Sequence, residues 1–226
     1  DSKSYINLAK EFGPLADYPM LKGLSKEFPE ITVVERKKTD TGPSFGGPVD
    51  VQVFSGYHTD SSYTSSPPRF TMLLAKLVPK GQGNTEFSSQ YLAYKNLPEN
   101  YKKKLENLKG VFSSSGSIAK SRVESELKRG KGNKNSFEAI HPIIKKINNK
   151  KSIYCSPGHL IKFLDVGEKE AKELKDFLFN FQVKPEFCFS FEWEPKSLAI
   201  WDNRSMLHRA TSVSGVDRIL HRITIQ

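Results

Sequence analysis

FCFSFEWEPKSLAIWD, residues 187–202, alternates large apolar residues with small or charged ones, breaks at Pro195, and resumes as an apolar run into Trp201 and Asp202. Phe187, Phe189, Phe191 and Trp193 fall at every second position, the period of a strand with one buried face. SLAIWD (197–202) and RILHRITI (218–225) read as two more short strands. Further back, RFTMLLAKLVP (69–79) reads as a buried strand ending at Pro79, with GQGNT (81–85) as a turn. Helical spacing is confined to three places. Tyr5, Leu8, Ala9 and Phe12 predict a helix over 4–12 that stops at Gly13. Residues 88–110 predict two helical pieces divided at Pro98, and Ala171, Leu174, Leu178 and Phe181 predict a helix over 168–181. Early and late strands separated by helical insertions lack the regular β-α rhythm of a parallel sheet. The fold expected is mainly β with flanking helices, a double-stranded β-helix or jelly roll.

The chain has 226 residues, of which 37% are hydrophobic and 11% aromatic, enough to bury a core. One domain over 1–226 is the expectation. GPLADYPMLKG (13–23) and TDTGPSFGGPVD (39–50) supply Pro and Gly for long loops, and the Ser-, Gly- and Lys-rich stretch 116–136 is a candidate mobile lid. No apolar run approaches the roughly 20 residues of a membrane-spanning helix. Cys155 and Cys188 have no spacing that suggests zinc or a redox dithiol, so free thiols in a reducing compartment are expected. The opening DSKSYINLAKEFG lacks the features of a signal peptide, which makes the cytoplasm the expected location.

The formal charge of +10 concentrates in YKKKLENLKG, KSRVESELKRGKGNKNS and KKINNKK. Glu, Asn and Gly interrupt these runs, and aromatic residues do not lace them as a base-stacking surface requires. They read as a solvated periphery whose field steers small anions toward a cleft, with no nucleic acid or membrane partner.

Chemistry concentrates at GYHTD, residues 56–60, which follows VDVQVF (49–54), read as a strand. In extended chain, i and i+2 share a face, so His58 and Asp60 converge. A surface His and Asp at a strand end would look the same. His208, at the end of SLAIWDNRSMLH, changes the reading: if it meets the other two, two imidazoles and one carboxylate form the ligand set of non-haem Fe(II) oxygenases. Three positions on the metal then stay open. Arg218 and Arg222 lie four residues apart in one strand, on the same face and roughly 13 Å apart by strand rise. Buried guanidiniums need anionic partners, either structural carboxylates or a ligand.

FGPL (12–15), HTDSSYTSSPPRFTMLLAKLVPKGQGNTEF (58–87), AYKNLP (93–98), LAIWDNRSMLHRAT (198–211) and RILHR (218–222), in this order, make the chain resemble the Fe(II)/2-oxoglutarate-dependent dioxygenases similar to taurine dioxygenase. The resemblance implies that His58, Asp60 and His208 bind Fe(II), and that Thr85 and Arg218 hold the distal carboxylate of the cosubstrate 2-oxoglutarate. It places Arg222 near the anionic group of the primary substrate or the inner end of the cosubstrate. Phe54 stands where the taurine enzyme has a polar substrate-binding residue. With Tyr57, it is expected to bias the pocket toward an apolar body with one anionic end. The expected activity is hydroxylation, with O2, of a small sulfonate, sulfate ester, phosphonate or carboxylate, releasing succinate and CO2, in a possible homo-oligomer. A strand-rich segment that usually precedes FGPL in the family is absent from this sequence. Two other readings stay open: a non-catalytic jelly roll binding a small anion or nucleic acid, and a zinc hydrolase using the same three ligands.

Overall fold

The computed structural model describes residues 1–16, 23–40, 52–116 and 136–226. The candidate lid, apart from Gly116 and Ser136, lies outside the described residues, as does much of the two Pro- and Gly-rich loops.

Two antiparallel sheets face each other. The larger comprises β1 (Leu15–Ala16), β2 (Thr32–Arg36), β3 (Phe70–Leu77), β11 (Leu198–Asp202) and β13 (Arg218–Ile225), with β13 pairing β1, β2 and β3. The smaller runs β10 (Cys188–Phe191), β4 (Thr85–Ser89), β12 (Met206–Ala210), and His58 adds an isolated bridge to His208 at its edge. Alternation on these strands decides which side chains meet. Leu73, Ala75 and Leu220 point inward with Trp201, where they join Phe87 and Trp193 in a core between the sheets. Met72, Ile223 and Ile225 point outward and are covered by Tyr5, Ile6 and Ala9 of α1 (Ser2–Lys10). A register shift between Ile219 and Leu220 keeps Leu220 opposite Ala75, so both remain on the inner face.

The second core lies outside the smaller sheet. Leu174, Leu178 and Phe181 of α4 (Glu168–Phe181) pack there with Leu105, Phe112, Ile143 and Phe187. The helix begins with Glu168 and Glu170 in its first turn, where carboxylates oppose the partial positive charge of the free amides. α2 (Gln90–Asn96) starts at Ser89, whose hydroxyl accepts from the Leu92 amide, and the chain breaks at Leu97–Pro98 before α3 (Glu99–Leu105). β5 (Lys109–Ser113) pairs with β6 (Glu138–Pro142) and β9 (Leu160–Phe163), and β7 (Ile144–Ile147) with β8 (Lys150–Ile153).

Three local expectations change. Val53–Gly56 form a turn rather than the end of a strand, because Ser55 and Tyr57 amides donate back to the Gln52 and Phe54 carbonyls. The amphipathic face of α1 is Tyr5, Ile6 and Ala9, while Leu8 and Phe12 stay exposed. Phe187, Phe189 and Trp193 do not share one environment. Phe187 sits in a 3-10 turn against the α4 core, Phe189 stacks on Phe87 with 55% of its surface exposed, and Trp193 enters the core between the sheets.

Candidate metal centre

A recess with about 480 Å³ of empty space, part of it open to solvent, lies between the sheets. The larger sheet contributes Val34, Leu73, Trp201, Arg218, Leu220 and Arg222; the smaller contributes Thr85, His208 and Ala210, and His58 and Asp60 complete the wall. One ligand atom from each of His58, Asp60 and His208 lies within 4.8 Å of the others.

The three arrive by different local devices. The His58 amide donates to the His208 carbonyl at 3.0 Å and the His208 amide returns a bond at 2.8 Å, so the two backbones hold the imidazoles side by side, ring centroids 4.3 Å apart. The chain then turns at Asp60, and Ser61 takes a left-handed φ of 49°, a conformation that a non-glycine residue adopts at a cost. His58 Nδ1 lies 2.9 Å from the Gly56 carbonyl; donating there leaves Nε2 as the metal-facing nitrogen. That Nε2 is 3.9 Å from Asp60 Oδ1, and His208 Nε2 is 3.9 Å from Asp60 Oδ2.

Asp60 is buried. Burial alone would raise its carboxyl, but His208, Arg222, His58 and a hydrogen bond from Thr71 together hold it well below the usual carboxylate range. The Arg222 guanidinium is 3.7 Å from Asp60 Oδ1. A cluster of two imidazoles and one carboxylate, with no thiolate, suits a divalent iron-type cation and fits the ligand set expected from sequence.

Arg218 and Arg222 both face the recess, as strand alternation requires. Burial pulls the Arg218 guanidinium down to about 10, and its Nε is buried with no hydrogen-bond partner among the described residues. Gly83, with φ +75°, runs against it: a Cβ there would meet Arg218 Cδ and Nε at 2.9 Å and Val213 at 2.6 Å. Across the recess Thr85 is buried, and its Oγ1 accepts a 2.9 Å bond from Trp193 Nε1, so its own proton remains for an acceptor. A buried cation and a hydroxyl with a proton to donate therefore line the same recess.

Tyr57 and Phe54 are not brought to this recess. Adjacent residues of extended chain point to opposite sides, so with His58 inward Tyr57 faces outward. It packs with Val183 and Leu207 under the Arg209 guanidinium, 4.5 Å from the ring centroid, and its hydroxyl reaches Glu86. Phe54 packs edge-on against Phe179 of α4, 5.2 Å between centroids. Sequence reading also passed over the polar residues behind the triad: Thr59, Thr71 and Asn203 are all buried there. Cys155 and Cys188 are free thiols.

Two facing antiparallel sheets with a His-Asp-His cluster between them define a jelly-roll protein with a candidate metal site. The family model for taurine catabolism dioxygenases of the TauD, TfdA family matches residues 1–224, and the chain belongs to that family. An alpha-ketoglutarate-dependent sulfonate dioxygenase of Saccharomyces cerevisiae is 29% identical over 158 residues, 69% of this chain and 37% of the yeast protein. An alkylsulfatase of Acinetobacter baylyi is 30% identical over 180 residues, 76% of this chain and 56% of its own length. The chain thus spans little over a third of the one and just over half of the other. A taurine dioxygenase structure from Burkholderia xenovorans superposes with a TM-score of 0.79 at 22% identity, covering 100% of this chain and 72% of that one, which establishes the fold. The jelly roll expected from sequence is the fold found, and Fe(II) and 2-oxoglutarate are the metal and cosubstrate that fit the family and the donor set.

Proposed function

We propose that the protein is an Fe(II)- and 2-oxoglutarate-dependent dioxygenase that hydroxylates a small anionic organic substrate. The observation that carries this reading is the joint occurrence, in one recess, of the His58–Asp60–His208 cluster and a buried Arg218 opposite Thr85. A hydrolytic zinc site would need only the first of these.

When bound, iron and the oxo acid supply oxidative decarboxylation to succinate and CO2, coupled to transfer of one oxygen atom of O2 into a substrate C–H bond. The protein's part is placement. His58, Asp60 and His208 would hold the metal through three atoms and leave its remaining positions open. Arg218 and Thr85 would anchor the distal carboxylate of 2-oxoglutarate, the guanidinium by charge and planar geometry, the hydroxyl by a donated proton. Arg222, next to Asp60, stands where the inner carboxylate of the cosubstrate or the anionic end of the substrate would find a second cation. Leu73, Leu220, Val34 and Trp201 wall the recess with apolar surface that keeps water from the reacting atoms.

The named relatives act on sulfonates and alkyl sulfates, and sulfonates, sulfate esters, phosphonates and carboxylates are the substrate classes proposed here. Anaerobic titration with Fe(II) and 2-oxoglutarate tests the site, because the chelate absorbs weakly in the visible. The band is expected in the native protein and absent in His208→Ala. A folded native protein without the band would remove the reading; with the band, succinate release is screened across the four substrate classes.

A further inference from the structure

Behind the metal cluster runs a chain of buried hydrogen bonds that nothing in the proposed chemistry uses directly. Trp201 Nε1 donates to Asn203 Oδ1 at 3.0 Å, Asn203 Nδ2 donates to Thr71 Oγ1 at 2.8 Å, and Thr71 Oγ1 donates to Asp60 Oδ2 at 2.7 Å. Its direction is fixed from both ends. An indole N–H can only donate, so it must meet the carbonyl end of the Asn203 amide and turn the NH2 end toward Thr71. An ionised carboxylate can only accept, so the one proton of the Thr71 hydroxyl must point at Asp60. The Asn203 backbone is pinned as well: its amide donates to the Arg69 carbonyl at 2.8 Å, and its carbonyl accepts from Thr59 Oγ1 at 2.6 Å. Thr71, Asn203 and Asp60 are 0%, 1% and 2% exposed, so these groups are shielded from bulk solvent.

We propose that Thr71, oriented by Asn203 and Trp201, is a positioning residue that occupies one oxygen of Asp60 and fixes how the carboxylate is offered to the metal. A carboxylate free to rotate can bind a cation through both oxygens, and each extra ligand closes a position that cosubstrate and O2 require. With Oδ2 held by Thr71, Asp60 presents the metal with a single oxygen in a fixed orientation. The inference rests on the reading of the triad as a metal site, and it adds a determinant on β3 that lies outside the ligand set.

The experiment measures anaerobic Fe(II) binding, and the visible spectrum with Co(II) as substitute metal, for the native protein, Thr71→Val and Thr71→Ser. Valine keeps the shape and removes the hydroxyl; serine keeps the hydroxyl. Thr71→Val is expected to bind Fe(II) about ten- to a hundredfold more weakly, with altered Co(II) ligand-field bands. Thr71→Ser is expected to stay within about threefold of native, with the native spectrum. Should the valine variant not fold, Trp201→Phe keeps an aromatic ring, though a smaller one, and removes the first donor, and a loss of about threefold or more is expected. Native-like binding and spectrum in Thr71→Val, an equal loss in Thr71→Ser, or no change in Trp201→Phe would each overturn the inference while leaving the metal site intact. A native protein that binds neither metal would instead overturn the site itself, and the inference with it.

Discussion

Burying a guanidinium without a compensating carboxylate costs several kcal/mol, and the Arg218 Nε, buried with no hydrogen-bond partner among the described residues, carries part of that cost until an anion arrives. Lysine at this position keeps the charge but loses the planar fork that matches a carboxylate. Arg218→Lys is therefore expected to weaken 2-oxoglutarate binding about tenfold or more, the worth of a hydrogen bond to a charged group, with Fe(II) affinity unchanged. Titration at the visible band of the chelate checks this. A cofactor affinity that did not move would place the distal carboxylate elsewhere. Lys145 presents a different conflict. Its ammonium lies 3.4 Å above the centre of the Tyr154 ring, and burial, reinforced by Arg204, lowers it from 10.5 to about 8. Because the folded state holds this proton less tightly than the unfolded chain, the native protein gains stability as pH rises from 8 to 10.5 and is penalised below 8. The penalty at neutral pH is on the order of 3 kcal/mol before the attraction of the ring offsets part of it. Lys145→Met should remove that pH dependence, so denaturation of the two proteins should differ most at pH 7 and converge near pH 10.5. Residue-level legibility was uneven for a physical reason. His58, Asp60, His208, Arg218 and Arg222 belong to types and spacings that carry chemistry, Thr85 stood out only through the family resemblance, and all six line the recess. Thr71 and Asn203 are 132 positions apart, and a buried threonine or asparagine leaves no pattern in sequence.

At the scale of elements, β13 does two tasks by alternation: Arg218, Leu220 and Arg222 face the recess, while Ile223 and Ile225 face α1. The helix is locked to that outer face by more than apolar contact. Tyr5 places its hydroxyl 2.8 Å from the Met72 carbonyl on β3 and 3.0 Å from the His221 carbonyl on β13, spanning the two strands. Tyr5→Phe keeps the ring and removes this tie, and it is expected to cost about 1–2 kcal/mol in chemical denaturation without altering 2-oxoglutarate affinity. A loss of affinity comparable to that of Arg218→Lys would mean that α1 tunes the recess rather than merely covering the sheet. Elements with strong periods were legible: α4 over 168–181, the break at Pro98 and the strands at 70–77, 198–202 and 218–225 all lie where alternation or helical spacing placed them. The strands β5 to β9 were not. IKKI in β7 and KKSI in β8 each carry two lysines and have only two and one apolar residues respectively, too few for a period to show. The end of VDVQVF erred the other way: the segment alternates as a strand does, but Val53–Gly56 turn just before His58 pairs with His208, while residues 49–51 lie outside the described residues.

For the molecule as a whole, the metal cluster is a joint between parts of the chain that lie far apart in sequence. His58 and Asp60 come from the segment before β3, His208 comes from the smaller sheet, and Arg222 from the larger sheet stands beside Asp60. A cation bound at this joint contacts only the folded arrangement, since the unfolded chain does not hold two imidazoles and a carboxylate together. Binding must therefore stabilise the fold by mass action, about 2.7 kcal/mol when free metal is a hundred times its dissociation constant. For a chain of this size each kcal/mol raises Tm by about 2–4 °C, so saturating Fe(II) without oxygen should raise Tm by about 5–10 °C and a chelator should reverse it. Adding 2-oxoglutarate should raise Tm again, because its two ends would join the metal to Arg218 across the recess. In Arg218→Lys the metal increment should survive and the cosubstrate increment shrink; in His208→Ala both should vanish. Calorimetry on these three proteins separates a site that merely holds a cation from one in which metal and oxo acid bind as a unit. A cosubstrate increment that persisted in full without His208 would mean that 2-oxoglutarate binds through the arginines alone, independently of the metal.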